Sequence, residues 1–126
     1  MADLARIAEI YAEQVRTAVS TFDLELGYAY SSSYRPRPAY DRTREVSVYL
    51  DPRGRGRGLG RVLYDELLDR LRADGVHLAL AVIAQPNEAS EALHRACGFE
   101  RLGLLPEVGF KLGRWVDTAL WGLRLP

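Results

Sequence analysis

Apolar side chains recur at helical spacing in two long stretches of the chain. The first predicts a helix over residues 4–19, with Asp3 as its N-cap. The second predicts an amphipathic helix that follows a glycine-rich segment and is capped at its C-terminus by Gly75. The positions that should form its inner face are Leu59, Val62, Leu63, Leu67 and Leu71. A shorter helix is expected from Asn87, its N-cap, to about Cys97.

Shorter apolar stretches, bounded by glycine, proline or polar residues, predict strands. They cover residues 26–31, 44–50, 77–84, 100–105, 108–112 and 116–124. In the first of them Leu26, Tyr28 and Tyr30 share one face. Residues 32–41 contain two prolines and predict a loop. Helices and strands in this order predict a mixed α/β fold in a single domain, residues 1–126.

Length and composition narrow the class of protein. A chain of 126 residues suits one domain, and 48% hydrophobic with 27% charged residues is ordinary globular usage. No apolar run approaches the roughly 20 residues of a membrane helix, and the first residues do not resemble a signal peptide. The single cysteine, Cys97, excludes an intramolecular disulfide and a cysteine-based zinc site. We expect a cytoplasmic protein with neither a bound metal nor a membrane partner.

The net charge is zero, but the charges are unevenly spread. Sixteen of the seventeen basic residues are arginine, and eight of these lie within residues 35–61. Only three acidic residues share that stretch, so it carries a local excess of about +5. A neutral protein with one cationic segment indicates a defined anionic ligand and no general nucleic-acid partner.

The strand predicted at residues 44–50 is joined to the second helix by RGRGRGLG, residues 53–60. Glycines leave backbone N–H groups open to a ligand, and the first N–H groups of a helix lack internal partners and carry partial positive charge. A pyrophosphate fits such a site. The arginines that can pair with its oxygens are Arg53, Arg55, Arg57 and Arg61. No Gly-Lys-Ser/Thr follows, so the segment is not a P-loop. The alternative is a solvated arginine–glycine tract, or one that contacts RNA.

Two motifs, in order and at matching spacing, resemble those of the GNAT superfamily of N-acetyltransferases. The first, which resembles R/Q-x-x-G-x-G/A, is Arg55-x-x-Gly58-x-Gly60. The second, which resembles N-x-x-A-x-x-L-Y-x-x-x-G-F, is Asn87-x-x-Ser90-x-x-Leu93-His94-x-x-x-Gly98-Phe99. Further segments resemble the phosphinothricin acetyltransferase branch: Thr21-Phe22, Ala39-Tyr40, Glu45-Val46-Ser47-Val48-Tyr49 and Gly109-Phe110-Lys111-x-Gly113-x-Trp115-x-Asp117. The resemblance covers nearly the whole chain.

The resemblance implies a GNAT-like fold, in which a mixed and mostly antiparallel sheet is flanked by helices. It implies an acetyltransferase that uses acetyl-CoA as co-substrate and no metal. It further implies a small amine or amino-acid acceptor, such as phosphinothricin, methionine sulfoximine or methionine sulfone, together with a homodimer and a role in herbicide resistance. The residues it places at the cofactor are Val48, Tyr49, Leu50, Arg55, Gly56, Arg57, Gly58, Leu59, Gly60, Arg61 and Asn87.

Acetyl transfer to an α-amine, whose pKa is near ~8, needs a base at neutral pH. The resemblance implies that Glu45 is that base; the alternative is a surface ion pair with Arg42 or Arg44. His94 stands where many members of the superfamily have an acidic tyrosine. We expect it to donate a proton to the leaving thiolate or to assist the base, the alternative being a packing residue. Cys97 fits the core better than a nucleophile's position, so direct transfer in a ternary complex is expected.

Acceptor recognition is expected from the loop that contains the prolines. Arg35 and Arg37 can hold the carboxylate and the head group of the acceptor, with Tyr40 beside them. Phe22 is expected to line the same pocket. The alternative for the two arginines is that they keep an exposed loop solvated. Trp115 is expected at the pocket or at a dimer contact.

The chain departs from the resembled family in two places. We expect it to lack the first strand of the fold, and Glu25 directly precedes Leu26 where the family has a helix–strand pair. Loss of that pair would remove part of the acceptor-side wall and expose a sheet edge. A Cα separation well above ~3.8 Å at this junction would indicate omitted residues. Two functions follow as hypotheses: acetyl transfer, or a shortened scaffold that binds acetyl-CoA without turnover. An RNA-binding module is the third.

Overall fold

The computed structural model of the protein describes residues 15–17, 26–56 and 58–126. Its strands are β1 (Val15–Thr17), β2 (Gly27–Ser33), β3 (Thr43–Leu50), β4 (Leu78–Ala84), β5 (Glu100–Lys111) and β6 (Arg114–Arg124). Its helices are α1 (Leu59–Ala73) and α2 (Glu88–Ala96). Short 3-10 turns at Pro38–Tyr40 and Pro52–Gly54 lie before β3 and after it.

All six strands form one sheet, in the order β1-β2-β3-β4-β6-β5. β3 and β4 run parallel, whereas every other neighbouring pair is antiparallel. The parallel pair is connected through α1, because parallel strands need a crossover connection. The expectation of a mixed, mostly antiparallel sheet flanked by helices is confirmed.

β3 and β4 are paired along only part of their length. Their register ends at Glu45↔Leu80, although both strands continue and stay paired with their outer neighbours, β2 and β6. The space between residues 46–50 of β3 and residues 81–84 of β4 is therefore open, and we call it the sheet gap. The backbone groups that line the sheet gap have no neighbouring strand in the described part of the chain to pair with.

One face of the sheet is covered by the helices. The residues that α1 buries there are Leu59, Gly60, Leu63, Tyr64, Leu67, Leu68 and Leu71. The five from Leu63 to Leu71 pack in one cluster with strand residues that include Ala29, Val46, Ala81, Ile83 and Trp121. Val62 is 57% exposed, so its predicted place on the inner face is wrong. At 3.6 residues per turn, Val62 falls on the side of the helix nearly opposite the buried stripe.

The N-terminal helix prediction fails where the structure describes the chain. Val15–Thr17 form a strand that pairs antiparallel with residues 27–29 of β2, so the prediction of a helix over residues 4–19 is wrong there. Two of the three residues are β-branched, and the pairing satisfies backbone groups along an edge of β2 that would otherwise be open. The rest of that predicted helix lies outside the described residues, as does Glu25, so the junction with Leu26 is not tested.

The C-terminal strands also differ from the prediction. β5 is a single strand where the sequence predicts two, because a β-bulge between Leu105 and Gly109 carries it past Pro106. Proline is tolerated there since β5 lies at the edge of the sheet. Leu112 and Gly113, with φ of 52° and 76°, form the two-residue turn into β6. Two positive φ values in succession are typical of a type I′ hairpin turn.

Candidate functional site

The segment after β3 begins with a tight turn that Asp51 organises. Its Oδ1 accepts hydrogen bonds from the backbone N–H and the Nε of Arg53, both at 2.9 Å. The same contacts hold the pKa of the Asp51 carboxyl below its usual value. The guanidinium of Arg53 is thereby engaged with Asp51, which leaves the pyrophosphate role expected for it without support. Gly54 is buried, and a Cβ there would lie 2.9 Å from the carbonyl oxygen of Leu26.

The next two glycines adopt backbone conformations that other residues rarely take. Gly56 has φ of +77° and Gly58 has φ of +74°, and a Cβ at either position would meet nothing within 4 Å. Gly58 is the N-cap of α1, so the amides of Leu59 and Gly60 precede the first intrahelical bond and have no backbone acceptor among the described residues. The N-terminus of α1 therefore has amide groups without a backbone acceptor in residues that line a cavity. Arg57 lies outside the described residues.

A cavity of about 510 Å³ opens beside this helix N-terminus. Its walls come from the end of β3, the start of α1 and the start of α2. Ten residues predicted at the cofactor line it: Val48, Tyr49, Leu50, Arg55, Gly56, Gly58, Leu59, Gly60, Arg61 and Asn87. Three further residues of α2 also line it and are not among those predicted, namely Ala89, Ser90 and Leu93. Two of these, Ser90 and Leu93, lie within the second motif, so the motif itself could have indicated them.

The side chain of Asn87 caps α2. Its Oδ1 accepts a hydrogen bond from the N–H of Ser90 at 3.1 Å, as the sequence predicts. The cap fixes the first turn of α2 against the cavity. Gly60 sets the distance between the two helices, because a Cβ at that position would lie 2.9 Å from a methyl group of Leu93.

His94 and Tyr64 meet between the two helices. Tyr64 Oη lies 2.8 Å from Nε2 of His94, and Nδ1 of His94 lies 2.7 Å from the carbonyl oxygen of Ser90. Both side chains are buried, at 3% and 0% exposure. Burial lowers the pKa of the His94 imidazole, and burial raises the pKa of the Tyr64 hydroxyl. His94 is therefore a neutral imidazole at pH 7.

A second cavity of about 140 Å³ adjoins this pair. It lies in the sheet gap, since its walls include residues 46–48 of β3 and residues 81–83 of β4 together with Tyr64 and His94. Val48 and Ser90 also line the larger cavity, so the two cavities are neighbours.

Glu45 is half-buried on β3, at the end of its pairing with β4. It precedes the buried Val46, and alternation along a strand directs these two side chains to opposite faces of the sheet. The side chains of Glu45 and His94 therefore lie on opposite faces of the sheet. Glu45 lines neither of the two cavities.

The acceptor residues predicted on the loop are not at either cavity. Arg35, Arg37 and Tyr40 are exposed. The guanidinium of Arg35 stacks over the ring of Tyr34 at 5.0 Å, and a hydrogen bond to Tyr34 raises the pKa of Arg35. Phe22 lies outside the described residues.

The exposed Trp115 lies against Phe110 on the β5–β6 hairpin and also lines neither cavity. Within the described ranges, no group of three His, Cys, Asp or Glu side chains is placed to hold a metal ion. No helix in the same ranges is long and apolar enough to cross a membrane.

The fold and the motifs agree with one family of known proteins. The profile described as the acetyltransferase (GNAT) family matches residues 25–99. The chain belongs to the acetyltransferase (GNAT) family.

Three curated relatives are similar to the chain over much of its length. It is 52% identical to a phosphinothricin N-acetyltransferase of Streptomyces coelicolor, with 75% of this chain and 55% of the relative aligned. It is 39% identical to a phosphinothricin N-acetyltransferase of Alcaligenes faecalis, over 94% of this chain and 76% of the relative. It is 45% identical to an L-methionine sulfoximine/L-methionine sulfone acetyltransferase of Pseudomonas paraeruginosa, over 79% of this chain and 58% of the relative. The chain thus spans little more than half of two of these proteins.

A solved structure shows the same architecture. The chain superposes with a TM-score of 0.86 and 40% identity on a GNAT superfamily phosphinothricin acetyltransferase from Sinorhizobium meliloti, which was solved in complex with acetyl-CoA. The match covers 98% of this chain and 69% of that protein.

Proposed function

We propose that the protein is an acetyl-CoA-dependent N-acetyltransferase that acylates the α-amine of phosphinothricin, methionine sulfoximine or methionine sulfone. One observation carries the proposal. Amides without a backbone acceptor at the N-terminus of α1 border the 510 Å³ cavity, which adjoins the smaller cavity in the sheet gap. The names of the relatives and of the structural neighbour supply the acceptor class and the co-substrate.

The cofactor is proposed to bind in two parts. The pyrophosphate of acetyl-CoA accepts hydrogen bonds from the amides of Gly58, Leu59 and Gly60, where the helix dipole adds partial positive charge. Arg55 and Arg61, both exposed at the mouth of the cavity, supply the balancing charge. Arg57 and Asn87 complete the predicted set.

The pantetheine arm is proposed to extend along the side of β3 that faces the sheet gap. Residues 48–50 have lost their pairing with β4, so peptide groups on that side can pair with the amides of the arm instead. The thioester is thereby directed toward the smaller cavity and the Tyr64–His94 pair.

Glu45 is proposed as the base that removes the first proton from the acceptor ammonium. The free amine attacks the thioester carbonyl directly in a ternary complex, and no acyl-enzyme forms. Cys97 supports this, because burial raises the pKa of its thiol and keeps it from being a ready nucleophile. His94 is proposed to take part in donating a proton to the leaving thiolate.

Arg35, Arg37, Tyr40 and Phe22 are proposed to recognise the acceptor. The exposed guanidinium of Arg37 is available to an acceptor carboxylate, and the stack of Arg35 on Tyr34 gives the loop a fixed cationic surface.

The assembly and extent of the chain belong to the same proposal. We propose one GNAT domain that lacks a helix–strand pair of its family. The alignment with the Alcaligenes relative supports this. It spans 149 positions but includes only 94% of the 126 residues of this chain, which is about 118. About 31 aligned positions (149 minus 118) therefore have no residue of this chain.

A homodimer is supported by apolar side chains exposed on the β5–β6 hairpin: Leu102, Leu104, Val108, Phe110, Leu112 and Trp115. A cytoplasmic location and a role in herbicide resistance rest on the resemblance alone.

A second candidate function is a shortened scaffold that binds acetyl-CoA without turnover. It is favoured by the exposed position of Arg35, Arg37 and Tyr40, which line neither cavity, whereas the predicted cofactor residues in the described part of the chain are assembled.

Calorimetry with acetyl-CoA, followed by a thiol-release assay, distinguishes these functions. We expect saturable binding and release of thiol with phosphinothricin or methionine sulfone, and no release with a polyamine. Binding with every acceptor inert would establish the scaffold. Absence of heat and of a thermal shift would overturn both, and leave the RNA-binding hypothesis for the arginine–glycine segment.

A further inference from the structure

The hydrogen bonds of His94 fix which of its ring nitrogens carries the proton. Nδ1 faces the carbonyl oxygen of Ser90 at 2.7 Å, and a carbonyl only accepts, so Nδ1 is the donor. A neutral imidazole has one ring proton, so Nε2 must accept. Its partner at 2.8 Å, the hydroxyl of Tyr64, is therefore the donor. The pair has one polarity, Tyr64 O–H to Nε2 and Nδ1–H to Ser90.

With these hydrogen bonds, His94 is not suited to act only as a proton donor. The single proton of a neutral His94 is held on a main-chain carbonyl, and its free lone pair is occupied by Tyr64. The hydroxyl of Tyr64, and not the imidazole, is thus the group of the pair that can release a proton toward the 140 Å³ cavity that both side chains line. A proton can reach Nε2 of His94 along its hydrogen bond with Tyr64 Oη.

We propose that Tyr64 and His94 form a proton relay that carries a proton from the acceptor nitrogen to the departing sulfur, with His94 as its accepting end. The relay rests on the proposed function and adds Tyr64 to it as a catalytic residue.

The protons of the transfer then balance. The acceptor enters as an ammonium and loses one proton to Glu45, which releases it to water. When the C–N bond forms, the nitrogen gives its second proton to Tyr64 Oη as the Tyr64 proton moves to Nε2. The imidazolium keeps its Nδ1–H on Ser90. As the C–S bond breaks, the same path returns a proton to sulfur, so CoA leaves as a thiol and both side chains regain their starting state.

The surroundings of the pair make a charge on His94 short-lived, because burial lowers the pKa of its imidazole. The titratable side chains that act on Tyr64 from neighbouring elements are Tyr30 of β2 and Cys97 at the end of α2. Burial raises the pKa of the Cys97 thiol, so it is uncharged at pH 7. Phe99 packs on both rings, with centroids 5.8 Å from Tyr64 and 5.1 Å from His94. The imidazolium is therefore stabilised by the Ser90 carbonyl alone among these neighbours, and it returns its proton readily.

Nitrogen-15 NMR of the full chain tests the polarity without any substrate. The sequence has two histidines, and a His77→Gln variant assigns the signals. We expect His94 at pH 7 to be neutral with its proton on Nδ1, and Tyr64→Phe to shift its Nε2 signal and raise its pKa. The matched control, Phe99→Leu, removes a packed ring but no hydrogen bond and should leave the proton on Nδ1. A proton on Nε2, or an imidazolium at pH 7, would overturn the relay.

Kinetics test the transfer step. We expect Tyr64→Phe to lower kcat by about 100-fold, as loss of a general acid–base group does, with the Kd for acetyl-CoA unchanged. A kcat within about twofold of the wild type would refute the relay, and if Tyr64→Phe does not fold, the wild-type NMR result decides. Absence of acetyl-CoA binding by the wild type would overturn the proposed function, and the relay with it; a wrong tautomer overturns the relay alone.

Discussion

Gly60 of α1 and Leu93 of α2 lie so close together that a Cβ on Gly60 would be 2.9 Å from a Leu93 methyl group. The contact joins the two helices whose first turns border the larger cavity. The glycine of the first motif therefore has a packing role as well as an open amide. Its replacement is expected to change the shape of the cavity and not only its chemistry.

We expect Gly60→Val to destabilise the protein by about 1–3 kcal/mol, because the added side chain must displace the methyl groups of Leu93. Acetyl-CoA affinity should fall at the same time. Thermal unfolding and calorimetry measure the two effects. Gly103→Val is the control: Gly103 has open space around it on β5 and should tolerate valine. Equal affinity in Gly60→Val and wild type would show that the helix spacing does not shape the site.

Gly58→Ala should separate backbone strain from ligand binding. Gly58 and Gly75 both have positive φ, +74° and +83°, so alanine at either position should cost about 1 kcal/mol of stability. Only Gly58 lines the cavity. We expect both variants to unfold at similarly reduced temperatures and only Gly58→Ala to bind acetyl-CoA more weakly. Equal weakening in the two variants would mean that strain, and not contact with the ligand, explains the loss.

Glu45→Gln is expected to lower turnover at neutral pH while the Kd for acetyl-CoA stays within about twofold. The amide cannot accept the proton of the acceptor ammonium, and the deficit should shrink above pH ~8, where the amine deprotonates without help. Turnover against pH measures this. Glu88→Gln, in the exposed first turn of α2, is the control and should leave the profile unchanged. A constant ratio to wild type from pH 6 to 9 would remove Glu45 from the role of base.

The stability of the protein should fall as pH drops below the ordinary histidine pKa of about 6.5. The folded state lowers the pKa of His94, so the unfolded chain takes up a proton that the folded chain refuses. The stabilising contribution is complete above pH 6.5 and is lost toward the lower, folded-state pKa. Denaturant unfolding between pH 5 and 7 measures it. His94→Gln should flatten the dependence of unfolding free energy on pH in that window, and His77→Gln should leave it unchanged. If the pH dependence persists in His94→Gln, another group is responsible.

Local patterns of sequence predicted much of the fold. The sequence predicts Gly75 and Asn87 as caps because each role depends on only a few neighbouring residues. Gly75 has a positive φ, and Asn87 has an accepting side-chain oxygen. The open amides near Gly58 follow from the same kind of local rule.

Features that depend on residues far apart in the chain were not predictable in this way. The sheet gap arises because β3 and β4 stop pairing after Glu45, which no local pattern reports. The pairing of Tyr64 with His94 joins residues 30 positions apart on two helices. The exposure of Val62, in contrast, follows from helix geometry, because Val62 lies on the side of α1 nearly opposite the buried stripe. The prediction for Arg35 and Arg37 rests on their charge, and charge does not determine the distance of a side chain from a cavity.

The central claim is that the amides at the start of α1 bind the pyrophosphate of acetyl-CoA. Titration of nitrogen-15-labelled protein with acetyl-CoA tests it most directly. We predict saturable shifts that are largest at Gly58, Leu59 and Gly60, with smaller shifts at residues 48–50. Saturable shifts confined to the β5–β6 hairpin or to the loop at residues 34–41, or no saturable shift at all, would contradict the account.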